Sequence, residues 1–204
     1  IFAFVPQFGA EGVWVSVFTA ISAFCNAGFD LFGRFGAYSS LVPYVNNYYV
    51  QAVVMFMIMA GGLGFMVWVE LAEYRKKRRL SLHAKVVLQF SVIFWVGGAV
   101  LLALLEWSNP RTMGGLSVPG KIMAALFQSV STRTAGMNTI DLAACSPISK
   151  LLMSVLQFIG AAPGSTGGGV KVTTFAVLIL TIRSVAQGRD DCVIGGHHHV
   201  RYNA

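Results

Sequence analysis

Two stretches of the chain stay apolar long enough to cross a membrane. Between Lys85 and Glu106 lie twenty consecutive uncharged residues, Val86 to Leu105. About 20 apolar residues in a helix cover the roughly 30 Å of bilayer hydrocarbon, so one crossing is predicted there. From Phe35 to Val69 there is again no charge. The part through Asn46 and Asn47 is polar and turn-like, and Tyr48 to Val69 predicts a second crossing. Gly61, Gly62 and Gly64 lie within it, and small residues let packed helices approach closely.

Two further apolar stretches are shorter. Gly12 to Phe24 and Val118 to Val130, the latter with Pro119 near its start, would each reach only about 20 Å as helices, too little to cross. Each runs into a compact glycine turn: Cys25-Asn26-Ala27-Gly28-Phe29 and Arg133-Thr134-Ala135-Gly136-Met137. The pattern predicts two re-entrant segments that enter as helices, turn within the membrane and leave extended. Ile148 to Ser184 poses the opposite problem. As one helix it would run about 55 Å, too long for a bilayer. It is interrupted by Gly160-Ala161-Ala162-Pro163-Gly164-Ser165-Thr166-Gly167-Gly168-Gly169. Irregular backbone at membrane depth survives where it is buried in protein or lines a wet cavity.

These pieces repeat. An offset of 108 places Gly28 on Gly136, Ala27 on Ala135, Asn26 on Thr134 and Gly61 on Gly169. Residues 81–188 then form one complete span, pore loop and broken second span. Residues 1–80 hold the pore loop and second span of an earlier unit, and residues 189–204 begin the next unit or form a cytoplasmic tail. Internal repeats of this kind imply pseudo-symmetric assembly about an axis.

Composition agrees. Of 204 residues, 55% are hydrophobic and 11% charged, against about 25% charged in an average globular protein. That excludes a disordered chain, a disulfide scaffold and most soluble enzymes. The predicted class is an all-α integral membrane protein. The net charge of +7 is concentrated in Arg75-Lys76-Lys77-Arg78-Arg79, between two apolar stretches. A basic run in that place marks a cytoplasmic loop, and nucleic-acid binding is not needed to explain it. The polar stretch Trp107 to Gly115 then faces outside. Cys25, Cys145 and Cys192 are too few and scattered for a disulfide framework or zinc site. The chain opens on Ile1-Phe2-Ala3-Phe4-Val5 without a basic n-region and is read as part of a longer protein.

The glycine turns suit cation chemistry. A dehydrated alkali cation needs a ring of oxygens, and backbone carbonyls supply them without a full charge that would trap the ion. Glycine permits the unusual dihedrals that aim successive carbonyls at an axis, and the negative dipole end of each short helix points the same way. The loop Gly164 to Gly169 followed by Val170 and Lys171 also invites a phosphate-loop reading, but its spacing is not that of G-x-x-x-x-G-K-[ST] and no strand pattern precedes it. A pliable constriction in a pore fits better. Lys171, an ionisable group near membrane depth, is functional or paired with a distant carboxylate. Arg133 is either a solvated charge at the mouth or a buried cation paired with Asp141. Glu11, Asp30 and Asp141 either concentrate cations or are plain surface acids. His197-His198-His199 lacks acidic or cysteine partners at ligand spacing and reads as tail. No catalytic constellation is visible.

Three motifs together carry a resemblance: Ser22 to Asp30, Ser131 to Asp141, and Gly164 to Lys171. They resemble the Trk/Ktr/HKT superfamily of potassium transporters, the Ktr-type membrane subunit most of all, over nearly the whole chain. The resemblance implies four membrane–pore-loop–membrane (M1-P-M2) repeats around a pseudo-fourfold pore, of which this chain holds the end of the second, all of the third and the edge of the fourth. It implies filter carbonyls from Cys25, Asn26, Ala27 and Gly28 and from Arg133, Thr134, Ala135 and Gly136, with potassium bound only there. It also implies a gating loop over Gly160, Pro163, Gly164, Ser165, Thr166, Gly167, Gly168 and Gly169, with Lys171 at its end. Met137 stands where such filters commonly carry Phe. Passive or sodium-coupled potassium uptake across the plasma membrane would be the activity, with no cofactor. Membrane lipid, a second copy of the full-length chain and a cytosolic ring of nucleotide-binding domains would be partners. A cation channel built by oligomerisation and a membrane protein binding nucleotide at the Gly-rich loop are the alternatives.

Overall fold

Helix starts are written into the sequence as short polar side chains. Asn47 Oδ1 accepts from the Val50 amide, Ser81 Oγ from Ala84, Ser117 Oγ from Gly120 and Ser146 Oγ from Ser149, each bonding an amide that has no partner within the helix. Proline follows within two positions at Pro119 and Pro147, where its missing N–H is harmless. The computed structural model describes residues 1–36, 39–187, 191–194 and 197–201. Among these residues there are eight α-helices: α1 Val5–Phe8, α2 Glu11–Phe24, α3 Tyr48–Gly62, α4 Phe65–Lys77, α5 Leu82–Glu106, α6 Val118–Thr132, α7 Pro147–Phe158 and α8 Val172–Ala186. After this helical body, β1 Asp191–Ile194 and β2 His197–Arg201 form a short antiparallel ribbon, which is where the described part of the predicted tail lies.

Among the described residues, α5 is the one helix long and apolar enough to cross a bilayer alone. It packs against α6, α7 and α8, while α3 packs against α2 and α6. Phe4, Val15, Phe32, Tyr44, Val54, Phe127 and Met137 share one core where the two short helices meet α3. Large apolar side chains also face outward, among them Trp14, Ile21, Val92, Ile93, Val96, Val100 and Leu104, a surface suited to lipid.

The predicted crossing Tyr48 to Val69 is not one straight helix. It breaks after Gly62, and α3 and α4 meet at 99°. Gly64, at φ +85°, occupies the break. The cause is tertiary: the Phe65 amide donates to Gly164 O (3.0 Å), and Ala162 N and Thr166 N donate to Gly62 O (3.0 Å) and Gly61 O (3.2 Å). The second break, Ile159 to Lys171, falls where the sequence predicts it. The two breaks interlock, which gives the chain two matched units: α2, turn, α3, break, α4, and α6, turn, α7, break, α8.

Candidate functional site

Both short helices end in the same way. After α2, the Ala27 amide donates to Ser22 O (2.9 Å); after α6, the Ala135 and Gly136 amides donate to Ser131 O (2.9 and 3.1 Å). The serine that anchors each turn also closes it. Ser22 Oγ donates to Phe29 O (2.6 Å) and Ser131 Oγ to Met137 O. Gly28 and Gly136 adopt φ +76° and +81°, a region closed to most side chains. Between these closures, among the described residues, the carbonyls of Cys25, Asn26, Ala27 and Gly28 and of Arg133, Thr134, Ala135 and Gly136 accept no hydrogen bond. The two serines are site residues that motif reading missed. The signal was in the sequence as a serine six or seven residues before each turn's end.

The turns lie against one another. A Cβ added to Gly28 would sit 2.3 Å from Ala135 O, whereas one on Gly136 would meet nothing within 4 Å. Gly136 borders an open cleft of about 490 Å³ that is also lined by Gln128, Thr132, Thr134, Lys150 and Gln157. Met137 is buried in the shared core behind the turn. Below the turns, Thr134 Oγ1 donates to Asn26 Oδ1 (2.9 Å) and Asn26 Nδ2 donates to Thr166 Oγ1 (2.8 Å). Thr166 Oγ1 in turn donates to Phe24 O (2.8 Å).

The loop from Gly160 to Gly169 folds back on itself. Gly160 N donates to Val170 O (2.9 Å) and Ala161 N to Gly168 O (3.2 Å). The two ends of the loop, joined by a parallel bridge between Ile159 and Val170, are so close that a Cβ on Gly160 would lie 1.7 Å from Gly168 O. Gly164 and Gly169 have positive φ, and Pro163 O sits against Gly64. Ser165 Oγ donates to Ala162 O (2.5 Å) and accepts from Gly167 N (3.3 Å). Lys171 Nζ donates to Gly167 O (2.7 Å), so its partner is a loop carbonyl and not the distant carboxylate the sequence allowed.

Arg133 is buried, and Asp141 is not its partner. Its Nη2 donates to Gly160 O (2.8 Å), and its guanidinium lies 5.6 and 5.8 Å from the ring centres of Phe94 and Trp95. Aromatic faces stabilise a desolvated cation, and the carbonyl takes one of its donors. Asp141 and Asp30 cap their own turns, accepting from Ala143 N and Phe32 N (2.9 Å each). Glu11 stands in the first turn of α2. One further buried acid has no signature in the sequence. Glu106, fully enclosed, accepts from Ser149 Oγ (2.5 Å), Ser146 N (2.9 Å), Thr112 Oγ1 (2.7 Å) and Asn109 Nδ2 (2.7 Å), tying the end of α5 to the start of α7.

The chain is similar to known proteins over most of its length. The chain is 38% identical over 187 residues to the potassium/sodium uptake protein NtpJ of Enterococcus hirae, covering 91% of this chain and 40% of that one. It is 41% identical over 182 residues to the Ktr system potassium uptake protein B of Vibrio alginolyticus, covering 88% and 39%. The chain thus spans about two fifths of the length of these relatives. The crystal structure of the potassium transporter TrkH from Vibrio parahaemolyticus shares the fold, with a TM-score of 0.70 at 20% identity over 93% of this chain and 44% of that one. These relatives are membrane transporters, not enzymes. Residues 3–195 match the family described as TrkH, cation transport protein, and the chain belongs to that family.

Proposed function

We propose that this chain forms part of the pathway of a potassium uptake protein. In this reading, carbonyls of Cys25 to Gly28 and Arg133 to Gly136 line two quadrants of a selectivity filter, and Gly160 to Gly169 is a gate beneath it. One observation carries the reading: two turns of matched geometry, in contact with each other, each keep four successive carbonyls out of hydrogen bonding among the described residues. Backbone oxygens left unbonded are ligands for a dehydrated cation. The names of the relatives point to potassium, with sodium as a coupling or competing ion. The complete pore would take its other quadrants from the rest of a longer polypeptide in the plasma membrane, with Arg75 to Arg79 on the cytoplasmic side. A second copy of that polypeptide and a cytosolic ring of nucleotide-binding domains are its proposed partners.

Nucleotide binding at the Gly-rich loop fits less well. A phosphate cradle needs free backbone N–H groups. In this loop the amides of Gly160, Ala161, Ala162, Ser165, Thr166 and Gly167 already donate within the chain, as does Lys171 Nζ. Rubidium uptake into liposomes containing the full-length polypeptide tests the proposal, and no uptake under an inward gradient would sink it. Gly136→Ser should relax discrimination against sodium, and unchanged selectivity would remove the filter assignment. Deleting Gly164 to Gly169 should raise the uptake rate, and an unaltered rate would remove the gate.

A further inference from the structure

In the reading above, Asn26 and Thr134 serve through their backbone carbonyls. Their side chains are a separate matter. The two occupy equivalent positions of the internal repeat, and they bond each other directly, Thr134 Oγ1 to Asn26 Oδ1 at 2.9 Å. The remaining polar end of Asn26 reaches the loop: Nδ2 donates to Thr166 Oγ1 at 2.8 Å, and at a longer 3.4 Å to Phe24 O and Ile58 O. Thr166 passes its own proton to Phe24 O, the last carbonyl of α2, at 2.8 Å. The chain Thr134–Asn26–Thr166–Phe24 therefore has each donor matched to an acceptor. It joins both turns to one side chain of the loop.

Asn26 is well suited to the centre of this chain. Its amide is both acceptor and donor, so it can receive from one turn and give to the loop at once. It sits at φ +51°, a conformation that Asn tolerates better than most residues, and it is buried. Thr166, in contrast, lies on an exposed part of the loop. Among the described residues its hydroxyl is the one loop side-chain group hydrogen-bonded to Asn26 and to Phe24 O. Space is tight there: a Cβ on Gly61 would come 2.7 Å from Thr166 Oγ1, and one on Gly167 would come 2.9 Å from Thr134 Oγ1. Any displacement of the loop from beneath the turns must break the Thr166 contacts.

We propose that Thr166 is a latch, with Asn26 and Thr134 as its catch, so that the gate is held shut by side chains of the filter turns themselves. This rests on the reading of the turns as filter and of the loop as gate. Ion occupancy and gate position are then coupled, because any shift of either turn moves the catch. Thr166 is a positioning residue here; it acts through the loop and touches no ion.

The test uses the full-length polypeptide in liposomes, with rubidium uptake as the readout. Thr166→Val keeps the shape and loses the hydroxyl, and Thr166→Ala serves as a second variant should valine disturb folding. Either removes both hydrogen bonds of the hydroxyl and should raise initial uptake about five- to a hundredfold, the range for losing two uncharged hydrogen bonds, with the half-saturating rubidium concentration unchanged. Thr166→Ser should restore the original rate. Adding Thr134→Val to Thr166→Val should give less than the product of the two single effects, because both cut the same chain. A residue that merely stabilises the fold would lower uptake when removed. Lowered or unchanged uptake in Thr166→Val and Thr166→Ala, beside raised uptake in the Gly164 to Gly169 deletion, overturns the latch and leaves the gate standing. If the deletion also leaves uptake unaltered, the gate reading itself fails.

Discussion

Gly28 and Gly136 occupy equivalent positions with nearly equal φ, yet a side chain would meet different surroundings at each. At Gly136 a methyl group meets open space, so only the left-handed backbone resists it, at about 1–2 kcal/mol. At Gly28 the same strain is joined by a carbonyl 2.3 Å away. Gly28→Ala is therefore expected to lower the melting temperature in detergent clearly more than Gly136→Ala, and equal shifts would contradict the contact between the turns. Arg133→Lys should also be destabilising, by about 1–3 kcal/mol, since a compact, strongly hydrated ammonium is a poorer cation for the Phe94 and Trp95 rings and fits the carbonyl less well; thermal melting checks it. The turn glycines were legible because their chemistry is local. The partner of Arg133 was not: sequence offered Asp141, and a backbone carbonyl such as Gly160 O leaves no residue-type signature.

At the scale of elements, α5, the two short helices and the second break could all be read from hydropathy and chain length. The 99° bend between α3 and α4 could not, because Tyr48 to Val69 carries no charge along its length and what holds Gly64 in place is the loop around Pro163 and Gly164. Glu106 was hidden for a related reason. At the end of an apolar helix it looked like a boundary, whereas it gathers donors from the following turn and from the start of α7. Removing it leaves a buried amide and several hydroxyl or amide groups without an acceptor. Glu106→Ala should cost about 2–4 kcal/mol of stability, with Glu106→Gln between it and the parent because one acceptor oxygen remains. Chemical denaturation of the purified protein measures both, and a neutral Glu106→Ala would show that α5 and α7 are held by other contacts.

For the molecule as a whole, the offset of 108 relates two stretches, and the structure has in each a short helix, a turn and two helices separated by a break. How the units meet was beyond sequence reading. Each glycine break fills space left by the other, and each turn rests on its counterpart, so neither unit is finished without its twin. The bare oxygens of those turns have a thermodynamic corollary. In the proposed filter these carbonyl dipoles would converge on one line and repel, and a cation between them would cancel that repulsion, so cargo would act as mortar. The folded protein should then melt at higher temperature as potassium replaces a bulky organic cation at constant ionic strength, gaining about 1.4 kcal/mol for each tenfold rise beyond half-saturation. Gly136→Ser should blunt the dependence; a melting curve indifferent to potassium would mean that the oxygens hold no ion at rest.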